Sequence, residues 1–232
     1  MPTLRKPGRP VDLELQAKRR EEILDAAAVL FAECGFADAD TQLLADRVGV
    51  AKGTIFRYFP TKRDLFFAAI DRGMARLRDW VHARADAVEE PLEKLHQAVH
   101  AYLEFFHEHP ETADLLILER AQFKDRKSSY FVSRDRNDDG RWSELFAALI
   151  AAGRVRDLPI DQIRNVLGDL VYGTMFTNHL SGRRRGFEDQ ARDLIDVVFH
   201  GLLTDAERRR APQPFRNAKV KSAAAKRGSK QR

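Results

Sequence analysis

This 232-residue sequence has a single cysteine, Cys34, so no disulfide can close within the chain. It shows no long uncharged apolar run and no basic-then-apolar leader, which argues against a membrane span and makes a reducing, cytoplasmic setting the expectation. No stretch alternates apolar and polar residues with the period of two that a half-buried strand needs, and no segment repeats. A phosphate-cradling glycine loop and a nucleophile elbow are also missing, so an enzyme is not expected, nor is a cofactor or metal.

What is present is a globular balance, 44% hydrophobic and 32% charged. The formal charge of +5 is unevenly placed, because residues Arg208 to Arg232 hold ten cations and no acid. Removing those ten leaves residues 1–207 at −5, so bulk charge does not point to nucleic acid and only its distribution can.

Residues 1–12 read as a flexible basic arm carrying Arg5, Lys6 and Arg9 among three prolines. A first helix from about Leu13 to Cys34 carries Ile23, Leu24, Ala27, Ala28, Leu30 and Phe31 at helical spacing, with Gly35 as its left-handed stop. Cys34, on that core-forming stretch, is expected to be buried. Asp40 caps a short helix whose apolar side is Leu43, Leu44, Ala45 and Val48, and Gly49 ends it. A second short helix runs from about Ala51 to Tyr58, Pro60 stops it, and Thr61 with Asp64 forms a capping box for a long helix.

Further helices are predicted over Leu92 to Glu108, Glu111 to about Lys124, Arg141 to Ala152, Asp161 to Leu180 and Phe187 to about Arg208. The polar stretch from Lys124 to Gly140 reads as partly helical, and residues 211–232 as a disordered basic tail. The fold class is therefore all-α: a three-helix head over 13–66 joined by a long helix to a helical body over 67–210.

The head carries the chemistry. Between Arg47 and Arg63 lie five cations, Arg47, Lys52, Arg57, Lys62 and Arg63, and no acid, a local field suited to phosphates. On the second short helix Ile55 and Phe59 stand four apart and can pack inward, leaving Lys52, Thr54, Arg57 and Tyr58 outward, while Gly53 permits close approach to a groove.

The run from Phe36 through Ala45, Val48-Gly49-Val50, Lys52-Gly53-Thr54-Ile55-Phe56-Arg57-Tyr58-Phe59-Pro60 and Lys62 to Leu65 resembles the DNA-binding domain of the tetracycline-repressor (TetR) family. The resemblance implies a helix-turn-helix whose second helix enters the major groove, in a homodimer reading a palindrome. By matching positions, Thr41 and Gln42 would touch backbone or bases. Lys52, Gly53, Thr54, Phe56, Arg57 and Tyr58 would form the reading surface, and Lys62 would grip phosphate from a helix N-terminus. Ala51 stands where the family commonly has a small polar residue and Phe56 where it usually has tyrosine, which removes a cap and a hydroxyl. The arm Lys6-Pro7-Gly8-Arg9-Pro10 is similar to a minor-groove hook, with a merely solvated tail as its alternative.

For the body the resemblance implies pairing through the last two long helices, with Leu167, Leu170, Val171, Leu194, Val197, Val198 and Leu202 as apolar candidates. It also implies a pocket for a small-molecule effector, for which Tyr102, Phe105, Phe106, Phe123, Tyr172, Met175, Phe176 and His179 offer walls. His96, His100 and Glu104 stand four apart, with His107 and His109 nearby, but without a companion cysteine they read as solvated or hydrogen-bonded groups. The expectation is a transcriptional repressor released from double-stranded operator DNA by an effector; the alternative is a non-specific architectural DNA binder.

Overall fold

The spacing of residues 23–31 becomes the buried stripe of α1 (Leu13–Asp38), where Ile23, Leu24, Ala27, Leu30 and Phe31 are at most 1% exposed. The computed structural model describes residues 13–124, 140–182 and 186–200. The arm, the stretch 125–139, Leu202 and the tail, for which expectations were stated, lie outside them.

Within α1 the helical backbone breaks at Gly35, whose φ of 75° and ψ of 174° suit glycine alone. This is an extended mirror-image conformation rather than the left-handed helical stop expected. The chain past it returns Phe36 onto Phe31, with ring centroids 6.0 Å apart. Cys34 is exposed, contrary to expectation, because the buried stripe ends at Phe31 and Phe36 closes the core in its place.

Three caps then set the head. Asp40 accepts from the Gln42 N–H at 2.7 Å and opens α2 (Thr41–Val48). Gly49, at φ 71° and ψ 41°, closes it, with the Val50 N–H bonding back to the Ala45 carbonyl at 2.9 Å. After α3 (Lys52–Tyr58), Thr61 and Asp64 form a reciprocal capping box that opens α4 (Lys62–Asp86). Leu44 and Ala45 are buried, but Leu43 is 42% exposed. An eight-residue helix has one inward side, and Thr41, Leu44 and Ala45 fill it.

The long helix α4 serves both halves of the fold. Its first turns bury Leu65, Phe66, Ala69 and Ile70 under α1 to α3, and its later turns bury Met74, Leu77 and Ala85. One apolar core runs from Ile23 through α4 to Leu116 and Met175, so the expected boundary after residue 66 falls inside a helix and inside continuous packing.

The body adds α5 (Pro91–Glu108), α6 (Pro110–Gln122), α7 (Arg141–Ala151), α8 (Ile160–Ser181) and α9 (Phe187–His200). Pro110 both bars continuation of α5 and starts α6, with His109 as the joint at φ −128°, ψ 60°. At Gly73 a Cβ would lie 3.0 Å from Thr112 Cγ2, so α4 and α6 meet closely there. The all-α expectation holds: among the described residues every regular element is a helix.

Charged clasps join these helices. Arg84 packs its guanidinium 3.6 Å above the Trp80 ring and pairs with Glu104, which also accepts from Trp80 Nε1 at 3.1 Å. That engagement, rather than a metal, is the use of Glu104. Arg141, opening α7, donates to both oxygens of Asp86 at 2.7 Å and holds that carboxyl below its ordinary range. Glu90 is lowered too, first by the backbone N–H of Glu93 and then by Arg154. The chain divides into compact units at residues 1–195 and 196–232; in the second, His200 Nδ1 lies 2.9 Å from Asp196.

Candidate functional site

Seven residues cannot hold a helix by themselves, so α3 is fixed from below: Ile55 is 1% exposed and Phe59 3%. Ala51 makes no side-chain cap, and the Thr54 N–H instead bonds the Ala51 carbonyl at 2.8 Å. Burying Ile55 and Phe59 necessarily turns the opposite face out. Lys52, Gly53, Phe56 and Arg57 are all exposed, while Thr54 and Tyr58 are half-buried at its flanks.

The exposed groups are lightly held. Lys52 Nζ lies 3.8 Å from Asp40, the residue that caps α2. The Arg57 guanidinium sits 5.4 Å from the Tyr58 ring centroid. Phe56 keeps 38% of its surface in solvent, an unusual cost for an aromatic residue unless something covers it. A Cβ at Gly53 would meet no atom within 4 Å, so internal packing does not demand glycine there.

Of the pair on α2, Gln42 is exposed and donates to Asp46 at 2.9 Å, whereas Thr41 is buried at 9% and so offers little surface. Lys62 departs most from expectation. Its ammonium donates to the Ala37 carbonyl at 2.7 Å and lies 5.3 Å from the Phe36 ring, tying the start of α4 to the end of α1. A phosphate contact from Lys62 would require it to share or leave that carbonyl.

Two cations outside the predicted set also position the head. Arg47 pairs with Glu33 at 2.6 Å, bracing α2 against α1, and Arg20 lies 5.3 Å from the Phe59 ring. Sequence spacing gave no sign of either partner, since each pair joins separate helices. Arg5, Lys6 and Arg9 lie outside the described residues.

The predicted body residues do not form one pocket. Phe106, Met175 and His179 line a cavity of about 170 Å³ between α5, α6, α8 and α9. Leu103, Asn178 and Gln190 line it too, and were not foreseen. Tyr102 and Tyr172 stack beside it with centroids 5.7 Å apart, and Phe176 lies 6.4 Å from Tyr172. Phe105 is instead core, 1% exposed and packed on Trp80 and His109. Phe123 closes α6 against Phe36, Phe66 and Phe67, at centroid distances of 4.9, 5.6 and 4.9 Å. Both departures have one cause, which is that the strongest local aromatic partners lie elsewhere than the cavity.

Beside the cavity, the α5–α6 joint reaches the head. Arg76 Nη2 lies 3.3 Å from His109 Nε2, and the same guanidinium meets Asp25 of α1 at 3.3 Å. The cavity wall at Pro110 is the next residue after His109.

Comparison with known proteins bears on both halves. Bacterial regulatory proteins of the tetR family are matched over residues 23–69, and the tetracyclin repressor-like C-terminal domain over residues 88–202. The HTH-type transcriptional repressor KstR2 of Mycobacterium tuberculosis is 27% identical over 161 residues, covering 66% of this chain and 78% of that protein. KstR of the same organism is 35% identical over 82 residues, 35% of this chain and 37% of its own length. Among solved structures, Bacillus subtilis FadR in complex with stearoyl-CoA gives a TM-score of 0.63 at 18% identity, over 79% of this chain and 99% of that one, a likeness of fold.

Proposed function

The chain belongs to the tetR family of bacterial regulatory proteins and is a DNA-binding transcriptional regulator; from that premise we propose that it represses by holding a palindromic operator as a homodimer and lets go when a small molecule occupies the body. The observation that carries the proposal is α3, whose outward face of Lys52, Gly53, Phe56 and Arg57 is exposed over a base locked by Ile55 and Phe59. A short rigid helix with cations, an aromatic ring and a glycine outward suits a major groove, where phosphates position and base edges specify. Lys52, Gly53, Thr54, Phe56, Arg57 and Tyr58 form the proposed reading surface, with Gln42 beside them on α2. Repression, rather than activation, is supported by the similarity to repressors of the same family.

Pairing is proposed through the last two long helices. On α8, Val166, Leu170 and Leu180 are 53%, 42% and 73% exposed and recur on the side away from the buried Val171 and Met175. α9 exposes Val197 and Phe199 as well. Single exposed apolar residues are ordinary, but a row along one helix face favours a covered surface.

Effector control is supported by the cavity's position. A guest pressing on Pro110 would move the His109 joint, and with it Arg76 and Asp25, so occupancy can shift the head relative to its partner across the operator. The test is selection of bound sequences from the organism's own fragmented genome, followed by mobility-shift titration at moderate salt. Enrichment of a palindrome bound far more tightly than random DNA is expected; equal affinity for both would overturn the proposal.

A further inference from the structure

The geometry points to the 170 Å³ cavity as the site of a compact, uncharged ligand with an apolar or aromatic body and one hydroxyl or N–H donor, an assignment that rests on the effector reading above. Size sets the first limit. An apolar cavity of about 150 Å³ takes a guest of benzene size, so this one accommodates roughly seven to ten non-hydrogen atoms.

Charge sets the second. None of the lining residues is Asp, Glu, Lys or Arg, so a carboxylate, phosphate or ammonium entering it would find no opposite charge there. The walls that face a guest are instead Leu103, Phe106, Met175 and Phe187. His179, at the edge, already has its Nε2 2.7 Å from Asp114 and so spends its polarity on that carboxylate.

Asn178 sets the third. It lines the cavity, and its Nδ2 donates to Gln190 Oε1 at 2.5 Å. Its Oδ1 is buried and has no hydrogen-bond partner. A buried acceptor left empty is costly, and a donor carried in by a ligand is the group that would satisfy it. The pocket therefore selects for a hydroxyl or N–H at one end of a small apolar skeleton, and against an acid of the same size.

The test uses the full-length protein with benzyl alcohol, ethylbenzene and benzoate, three probes of nearly equal size. The chain has three methionines, Met1, Met74 and Met175, so methyl NMR resolves the cavity residue from one in the core. Benzyl alcohol is expected to shift the Met175 methyl saturably while Met74 stays still. It should bind about fivefold more tightly than ethylbenzene, the worth of one hydrogen bond, and at least about tenfold more tightly than benzoate. Asn178→Leu should abolish the preference for the alcohol over ethylbenzene. A silent Met175, equal binding of alcohol and hydrocarbon, or a preference for benzoate would overturn the assignment. Mobility shifts in parallel separate the two readings. Operator binding with a silent Met175 refutes the cavity site alone, and a responsive Met175 in a protein without DNA preference refutes the regulator and leaves the site.

Discussion

Replacing Gly53 with alanine should move stability and DNA affinity in opposite directions. In the free protein the new Cβ meets nothing within 4 Å, and Gly53 has helical backbone without positive φ, so the methyl is sterically free. Glycine costs a helix interior about 0.5–1 kcal/mol relative to alanine; at the second residue of α3 the lower value applies. With about 2–4 °C per kcal/mol for a chain of this size, Gly53→Ala should melt roughly 1–2 °C higher. If α3 lies in the major groove at this residue, the same methyl intrudes between backbone and DNA. A loss of about tenfold in operator affinity, or about 1.4 kcal/mol, is then expected. Differential scanning calorimetry and mobility shift on the same preparation measure both. A variant that melts higher and binds DNA like the parent would refute placing the glycine at the groove.

Arg57→Ala should lower the slope of log affinity against log salt by about one if Arg57 meets a phosphate, with the melting temperature unchanged; an unaltered slope would assign it elsewhere. Leu170→Glu, which charges the exposed face of α8, should turn the dimer into monomer in sedimentation velocity without loss of helicity; a surviving dimer would place the interface elsewhere. The lowered carboxyls of Asp86 and Glu90 give a pH dependence of defined sign. Their stabilisation is full at neutral pH, shrinks as pH falls through the ordinary carboxylate values of 3.8 and 4.5, and vanishes below the depressed ones. Asp86→Asn should therefore melt lower than the parent at pH 7, with the gap closing near pH 3.

What the sequence made legible was what local chemistry dictates. Asp40, Gly49 and the Thr61–Asp64 box each act within a few residues, so the bounds of α2, α3 and α4 and the outward side of α3 could be read directly. What escaped depends on which helix lies opposite. Lys62 found the Ala37 carbonyl, Phe123 joined the aromatic cluster at Phe36 and Phe66, and Phe105 turned toward Trp80. Leu43 and Cys34 have core-like spacing but lie where no helix covers them. The cavity drew residues from α5, α6, α8 and α9, and no periodicity along one segment reports such a meeting.

The central claim is that α3 reads DNA as one of a symmetric pair. Hydroxyl-radical footprinting of the protein on its highest-affinity selected sequence tests this most directly. Two protected half-sites related by a dyad and separated by about one helical turn or a multiple of it are predicted, with protection at both lost in Arg57→Ala. Uniform protection without a boundary, or a single unpaired footprint, would contradict the account.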